Sequence, residues 1–400
     1  MLPRAEVPAL VLGHGITQLG VLRHLSKAGI PVFAVNEPED FVRHSRYYRA
    51  MPGLRTPPSP RRLLDLLSHC PFPRAVLVPC ADDWLEAVAA LPPEWREYFP
   101  ASVSAPELVR VLTDKWLFAE LLAQYAIPRP RTICVQTIEE AEALPEEFFA
   151  GAFLKPRDSL AFSRCYKVKV FTAENKKEAL RHLRRAFADG LAIMLQEFIP
   201  GPPEEHYLIE GFVDRHGAMT VLGRRRLRMH PQRFGNSCFM ESVPMRKVQG
   251  AVDSLQKLFA AAGFRGLCGC EFKLDPRDGQ FKLIEINGRP WWHLDFAEHC
   301  GLPVARMAYW DALGVDVPQV KKYRAGRRGV ILSQDWQAYR TLSKEGKLSF
   351  ASWFTSCLFA HDLIFRWSDP LPALAQMWKA VKPRPVLEAE AAQSIHEVPA

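Results

Sequence analysis

The sequence predicts a mixed α/β and α+β chain divided into more than one domain. Three observations carry this. The chain has 400 residues, too many for one hydrophobic core. Its first hundred residues alternate apolar runs with amphipathic segments, as a parallel βαβ unit does. Its middle is a succession of apolar stretches of strand length, broken by turn residues.

Taken in order, residues 7–12 ("VPALVL") read as a buried parallel strand. "GHGITQLG" and the amphipathic "VLRHLSKAG" follow, then a second strand, "IPVFAV" (30–35). Gly13, Gly15 and Gly20 let a helix N-terminus approach its neighbours closely, and such ends favour anions. The pattern is not the strict GxGxxG, and the acid near the end of the second strand is only Glu37. A third strand, "RAVLVPC" (74–80), ends at "ADDW". Residues 1–108 are therefore read as a small doubly wound domain.

"LTDKWLFAELLAQYAIPRPRTICV" (112–135) is a helix that stops before Pro128, then a proline-rich connector into a strand. "GAFLKPRD" (151–158) is a strand ending in Lys155, and a helix spans about 174–188. The strands "AIMLQEFIPG" (192–201), "HYLIEGFVD" (206–214) and "AMTVLGRRRLR" (218–228) come next. A helix, "KVQGAVDSLQKLFAAAG" (247–263), leads to "GLCGCEFKLD" (266–275) and "FKLIEIN" (281–287). Beyond about 325 the pattern is helical and aromatic-rich, and the last dozen residues read as a frayed tail.

Composition is that of a soluble globular protein, 48% hydrophobic and 24% charged. No apolar run reaches the roughly 18 residues of a membrane span. "FASWFTSCLFA" (350–360) is the nearest and is too short. The N-terminus has no signal-peptide pattern. Nine scattered cysteines without a CxxC pair read as reduced thiols, structural or incidental. Together these point to the cytoplasm. The net charge of +8 suits nucleic acid, an anionic membrane surface, or a basic enzyme that handles phosphates. The basic residues are spread widely apart from "GRRRLR" (223–228), and no nucleic-acid-binding signature accompanies them, so the enzyme reading is preferred.

The chemistry concentrates in "FKLIEINGRPWWH" (281–293). Strand alternation puts Phe281, Leu283, Glu285 and Asn287 on one face, and Ile284 and Ile286 on the other. With "PRDGQ" as a five-residue loop, Asp275 pairs with Phe281. Glu271 then falls opposite Glu285, about 5.5 Å away at Cα. Two carboxylates that close repel and are costly to desolvate. A solvated edge pair is the plain reading. The apolar surroundings and the phase of Asn287 and Arg289 favour a bound cation. Oxygen donors without His or Cys suit magnesium bridging to phosphates. Lys155, at a strand end, and Lys115, at a helix start, offer cations from another direction. "LQEFIPG" (195–201) offers extended backbone beside apolar side chains, as an adenine ring needs, with Glu204 or Glu205 placed for ribose hydroxyls.

In this order, "TDKW…FLKP…LQEFIPG…CEFKLD…LIEINGR" resembles the ATP-grasp superfamily. "GRRRLRMHPQRFGNSCFMESVP" (223–244) and "RWSDPLPAL" (366–374) resemble its carboxylate–amine ligase branch, which is related to D-aspartate ligase and the carbamoyl-phosphate synthetase large chain. The resemblance implies a pre-ATP-grasp Rossmann-like domain (1–108), then an ATP-grasp domain (109–322) with a small lobe at about 130–197 and a large lobe at about 198–322. A helical, aromatic-rich extension (323–400) would follow. It implies that Lys115 and Lys155 hold ATP phosphates. Gln196, Glu197 and Ile199 would line the adenine pocket, and Glu205 would bind ribose. Glu271, Glu285 and Asn287 would bind two Mg2+ ions, with Mn2+ as a substitute, and Arg289 would steady an acyl phosphate. Arg225 and Arg228 are expected to face the cleft near the transferred phosphate or the acid. Relatives have a glycine-rich flap after the "KP" strand, whereas "RDSLAFSRCYKVK" (157–169) has no glycine. Lys169 is the expected extra phosphate contact there.

The expected function is ATP-dependent joining of a small-molecule carboxylate to an amine through an acyl phosphate. A phosphotransferase acting on a hydroxyl or enol is the alternative, and a nucleotide-sensing binder a third. "WWHLDFAEHCG" (291–301) is either core or a wall of the substrate cleft, with His293 a base or structural. Residues 325–385 suit a substrate lid, a homodimer contact or a peripheral membrane patch.

Overall fold

The computed structural model describes residues 6–381 apart from 37–39, 55–56, 150, 158, 169 and 233–234. Glu37, Lys169 and the expected frayed tail lie outside the described residues. The described strands form three sheets.

The first sheet has the order β2-β1-β3, all parallel, from β1 (Ala9–Leu12), β2 (Val32–Val35) and β3 (Val76–Pro79). β1 and β3 are buried along their whole length, as strands covered on both faces must be. The helix Gly15–Lys27 buries Leu19, Leu22 and Leu25 against the sheet side of a shared core. Gly13 (φ 130°) and Gly15 (φ 71°) make the turn into it, a backbone that side-chain-bearing residues rarely adopt. The Gly15 N–H donates to Asp40 Oδ2 at 2.7 Å. This helix end therefore takes its anion from the chain itself.

The second sheet is antiparallel, in the order β4-β7-β5-β6. Its strands are β4 (Thr132–Val135), β5 (Ala152–Pro156), β6 (Phe171–Thr172) and β7 (Ile193–Glu197). Ala152, Leu154 and Pro156 are buried while Phe153 and Lys155 are half-buried, the two-residue period of a strand with one covered face. Leu154 shares a core with Leu180, Leu183 and Ala186 of the helix Lys176–Ala188.

The third sheet runs β12-β11-β8-β9-β10-β13-β14. It consists of β8 (His206–Val213), β9 (Met219–His230), β10 (Asn236–Val243), β11 (Gly266–Leu274), β12 (Phe281–Asn287), β13 (Arg328–Val330) and β14 (His361–Asp362). On one face Ile209, Cys268, Cys270 and Ile286 pack with Leu255 and Phe259 of the helix Gln249–Ala262. The other face carries Glu271 and Arg224.

Two elements differ from expectation. The single helix expected from 112 is two helices, Pro106–Thr113 and Lys115–Gln124. Asp114 breaks them, because its carboxylate accepts from the Trp116 and Leu117 N–H groups and caps the second. The C-terminal region is not purely helical. "RGV" and "HD" are too short to read as strands, yet they add β13 and β14 to the third sheet. This region is also tied to the first sheet. Asp369 accepts from Arg23 Nε (2.9 Å), Ser45 Oγ (2.6 Å) and the Arg46 N–H (2.8 Å), and the Arg23 side chain is fully buried. Carbonyls of Leu363 and Ile364 take further Arg23 protons, which is what makes burial of a guanidinium tolerable.

Candidate active site

Glu271 stands opposite Glu285, as expected, but by a different route. Leu274, not Asp275, pairs with Phe281, one residue off the expected hairpin register. A bulge at Ile284 then restores the Glu271–Glu285 pairing. The bulge also reverses the faces. Ile284 lies in the cleft with Glu285, while Phe281 and Leu283 pack into the core beside Ile286. The expectation that Phe281 and Leu283 share the face of Glu285 is corrected accordingly.

The two carboxylates open into a cleft of about 580 Å³, lined by the second and third sheets and well within the size of small-molecule sites. Lys115 and Lys155 line the same cleft. Burial lowers the pKa of Lys155, the charges of Glu285 and Glu271 oppose this, and Lys115 adds to it. All four groups therefore act within one field. Lys155 Nζ lies 3.5 Å from Gln196 Oε1. Lys115 is the first residue of the helix capped by Asp114. Arg157, two residues past Lys155, grips Asp114 with Nε at 2.9 Å and Nη2 at 2.6 Å. A bidentate ion pair thus ties the strand of one lysine to the helix of the other.

Glu271 Oε1 accepts from Arg226 Nη2 at 2.9 Å and lies 3.1 Å from His206 Nδ1. Burial would raise the Glu271 carboxyl, but Arg226 and His206 outweigh it and hold it well below the usual carboxylate range. Arg226 Nε is fixed in turn by Ser237 Oγ at 2.9 Å. The cleft guanidinium is therefore Arg226. The expectation that Arg225 and Arg228 face the cleft is corrected. Arg225 turns to Glu241, with both its contacts to Oε2 within 3.2 Å. Arg228 is held by Asp335 at 2.8 and 2.7 Å and lies over the Phe239 ring. The sheet register, not the sequence, singles out Arg226. Arg224 and Glu271 both pair with Leu208 of the intervening strand, and a period of two from Arg224 leads to Arg226.

Asn287 Nδ2 donates to the Gly269 carbonyl at 3.4 Å, which fixes the donor end of that amide. Arg289 makes a bidentate pair with Asp82 at 2.6 and 2.9 Å, so the first sheet's helix Asp82–Ala89 holds it, and Glu285 adds to its field. On the far side, Gln196, Glu197 and Ile199 line the cleft at the end of β7. The Gln196 amide donates to Thr132 Oγ1 (3.1 Å), whereas the Glu197 carboxylate turns to the Arg131 N–H (3.0 Å) and to Arg277 (2.5 Å). Lys273 Nζ pins the following bend through the Gly201 and Pro202 carbonyls, at 2.9 and 2.7 Å. Beside that bend, Glu205 Oε2 is buried with no hydrogen-bond partner among the described residues.

The glycine-poor flap is a helix, Ser159–Tyr166. Phe162 is buried against Phe171 (centroids 4.9 Å) and anchors it, and Ser163 faces the cleft. His293 is structural. Arg224 Nη2 donates to its Nδ1 at 2.8 Å, so Nε2 carries the proton and donates to the Ser237 carbonyl at 2.9 Å. Burial holds its pKa well below the usual histidine range. Trp291 is core, packed where a side chain at Gly269 would stand, whereas Trp292 is exposed.

With two sheets closing on a charged cleft, acids on one and lysines toward the other, the chain is similar in fold to solved ATP-grasp structures. The biotin carboxylase domain of Hydrogenobacter thermophilus 2-oxoglutarate carboxylase, solved with MgADP, ADP and bicarbonate, matches with a TM-score of 0.62 at 16% identity, over 81% of this chain and 74% of that one. In sequence the chain is similar to the carboxylate–amine ligase branch. It is 28% identical to D-aspartate ligase of Enterococcus faecium over 251 residues, 59% of this chain and 58% of that protein. It is 22% identical to the carbamoyl phosphate synthase large chain of Methanothermobacter thermautotrophicus over 231 residues, 54% of this chain and 21% of that one. The chain thus spans little more than half of the first relative and about a fifth of the second. No family model matches it.

Proposed function

We propose that the chain is an ATP-dependent carboxylate–amine ligase. A substrate carboxylate attacks the γ-phosphorus of ATP, the bond to the ADP oxygen breaks, and an acyl phosphate forms. An amine then attacks the acyl carbon, phosphate leaves, and an amide or peptide bond remains. The observation that carries this reading is the pairing of Glu271 with Glu285 across from Lys155 and Lys115 in one cleft.

In this reading Lys115 and Lys155 hold the phosphates, with Lys169 as a further contact. Gln196, Glu197 and Ile199 border the adenine. Glu205 takes ribose hydroxyls, for which its buried, unpartnered oxygen is suited. Glu271, Glu285 and Asn287 hold two magnesium ions, which manganese can replace. Their hard oxygens fit such ions. Bound there, the metal offsets charge on the transferring phosphoryl group. Arg226 stands beside the reacting groups, and Arg289, steadied by Asp82, faces the acyl phosphate. The helical flap and the second sheet exclude water that would hydrolyse it. Residues 1–108 serve as the pre-ATP-grasp domain, 109–322 as the two-lobed ATP-grasp domain and 323–400 as an extension. Among the described residues no helix is long and apolar enough to cross a membrane.

A crossed library of carboxylic acids and amines, with ATP and magnesium, tests this by phosphate release. Release that needs both an acid and an amine is expected. Phosphate retained on a single acceptor would make the protein a phosphotransferase instead.

A further inference from the structure

The described C-terminal region exposes apolar side chains that the site does not use. On the helix Phe350–Cys357 and the turn after it, Phe350, Phe354, Leu358 and Phe359 follow one helical face, and Phe359 is 91% exposed. The helix Leu332–Lys344 adds Leu332 and Trp336. The rings are held in a network, with Trp336 against Trp353 (5.2 Å) and Phe350 against Phe354 (6.1 Å). A second stripe follows Trp367, which is 89% exposed: Leu371, Leu374 and Trp378 recur at helical spacing on the helix Leu371–Val381. Soluble proteins rarely leave this much aromatic surface open without a partner.

Charge says which partner. Residues 332–378 hold four Lys and Arg and four Asp and Glu, and five further basic residues, Lys321, Lys322, Arg324, Arg327 and Arg328, precede them. Two of the four acids, Asp335 and Asp369, are buried in pairs with Arg228 and Arg23 from outside the segment. Arg340, Lys344 and Lys347 are exposed around the first stripe. A second copy would bring the same positive surface and repel it. Aromatic side chains standing out among cations suit a lipid interface instead, with rings at headgroup depth and cations on lipid phosphates.

We propose that residues 332–378 form a peripheral docking surface for a membrane of anionic phospholipid. The full chain is tested by flotation with vesicles of phosphatidylcholine alone, or with about a third phosphatidylglycerol. Retention on the anionic vesicles only, weakened by salt and accompanied by a blue shift of tryptophan emission, is expected. A variant with Phe359→Ser, Trp367→Ser and Trp378→Ser should lose about tenfold or more of the binding, with an unchanged melting temperature because these side chains are exposed. Arg340→Glu with Lys344→Glu should remove the preference for anionic lipid. The proposal is overturned if neither vesicle retains the chain, or if both variants bind as the parent does. It is equally overturned if sedimentation shows a concentration-dependent dimer that the three serine substitutions dissolve.

Discussion

Arg226 donates to the same oxygen of Glu271, at 2.9 Å, that His206 holds at 3.1 Å. That carboxylate faces Glu285 on the neighbouring strand, so Arg226 offsets a repulsion that a bound metal would otherwise offset. The guanidinium and a metal bound there would therefore do overlapping electrostatic work.

Replacing Arg226 by Met should make this visible. The variant leaves two facing carboxylates without their guanidinium, at a cost of about 3 kcal/mol. Magnesium with ADP should then raise the variant's melting temperature more than the parent's, since the cation restores the missing charge. Thermal shift with and without the metal measures the difference. An equal rise in both proteins speaks against metal at Glu271.

Glu285→Gln keeps the shape of the side chain and removes its charge. Turnover should fall by about a hundredfold or more, as loss of a charge-stabilising group does, with the melting temperature nearly unchanged. Phosphate release and a melting curve on the same preparation are sufficient. A rate like the parent's would remove Glu285 from the metal site.

Arg157 does not line the cleft, yet it joins the mounts of both lysines through Asp114. It is a positioning residue. Arg157→Ala should raise the KM for ATP by about tenfold and change kcat much less, because ground-state placement of the phosphates is what it secures. Lys155→Met should raise the KM for ATP and lower kcat as well. If Arg157→Ala lowers kcat alone, the pair with Asp114 serves another purpose.

Much of this arrangement could be read before any coordinates. The apolar run of β1 and the two-residue period of β5 follow from local rules. What escaped had non-local causes. The register error at Phe281 and the bulge at Ile284 cancel, and nothing in "FKLIEIN" signals either, since a bulge answers the twist of its partner strand. Arg225, Arg226 and Arg228 look alike in "RRRLR". Only Glu241, Glu271 and Asp335, each distant in sequence, sort them. β13 and β14 are too short to carry a pattern of their own and exist because β10 offers an edge.

The pH dependence of stability offers a last test. It turns on buried histidines, and His206 beside Glu271, its pKa lowered chiefly by burial, adds to it. The His299 ring stacks on that of His361 at 3.8 Å. Burial, His361 and Arg366 press its pKa down from 6.5 to about 4. The pKa of His361 is also lowered, chiefly by burial, against the pull of Asp295. Burial holds His293 neutral as well. The unfolded chain therefore binds protons between pH 6.5 and about 4 that the folded chain refuses, so stability falls as pH drops through that window. Glu271 and Asp295 work lower. Their pKa values are depressed from 4.5 and 3.8, so what they contribute is lost only as pH falls below those values. A decline in melting temperature that begins near pH 6.5 thus belongs to the histidines. His299→Gln should flatten part of it while leaving the lower, carboxylate limb in place. A melting temperature that stays level until the carboxylates titrate would show that these rings are not held neutral by the fold.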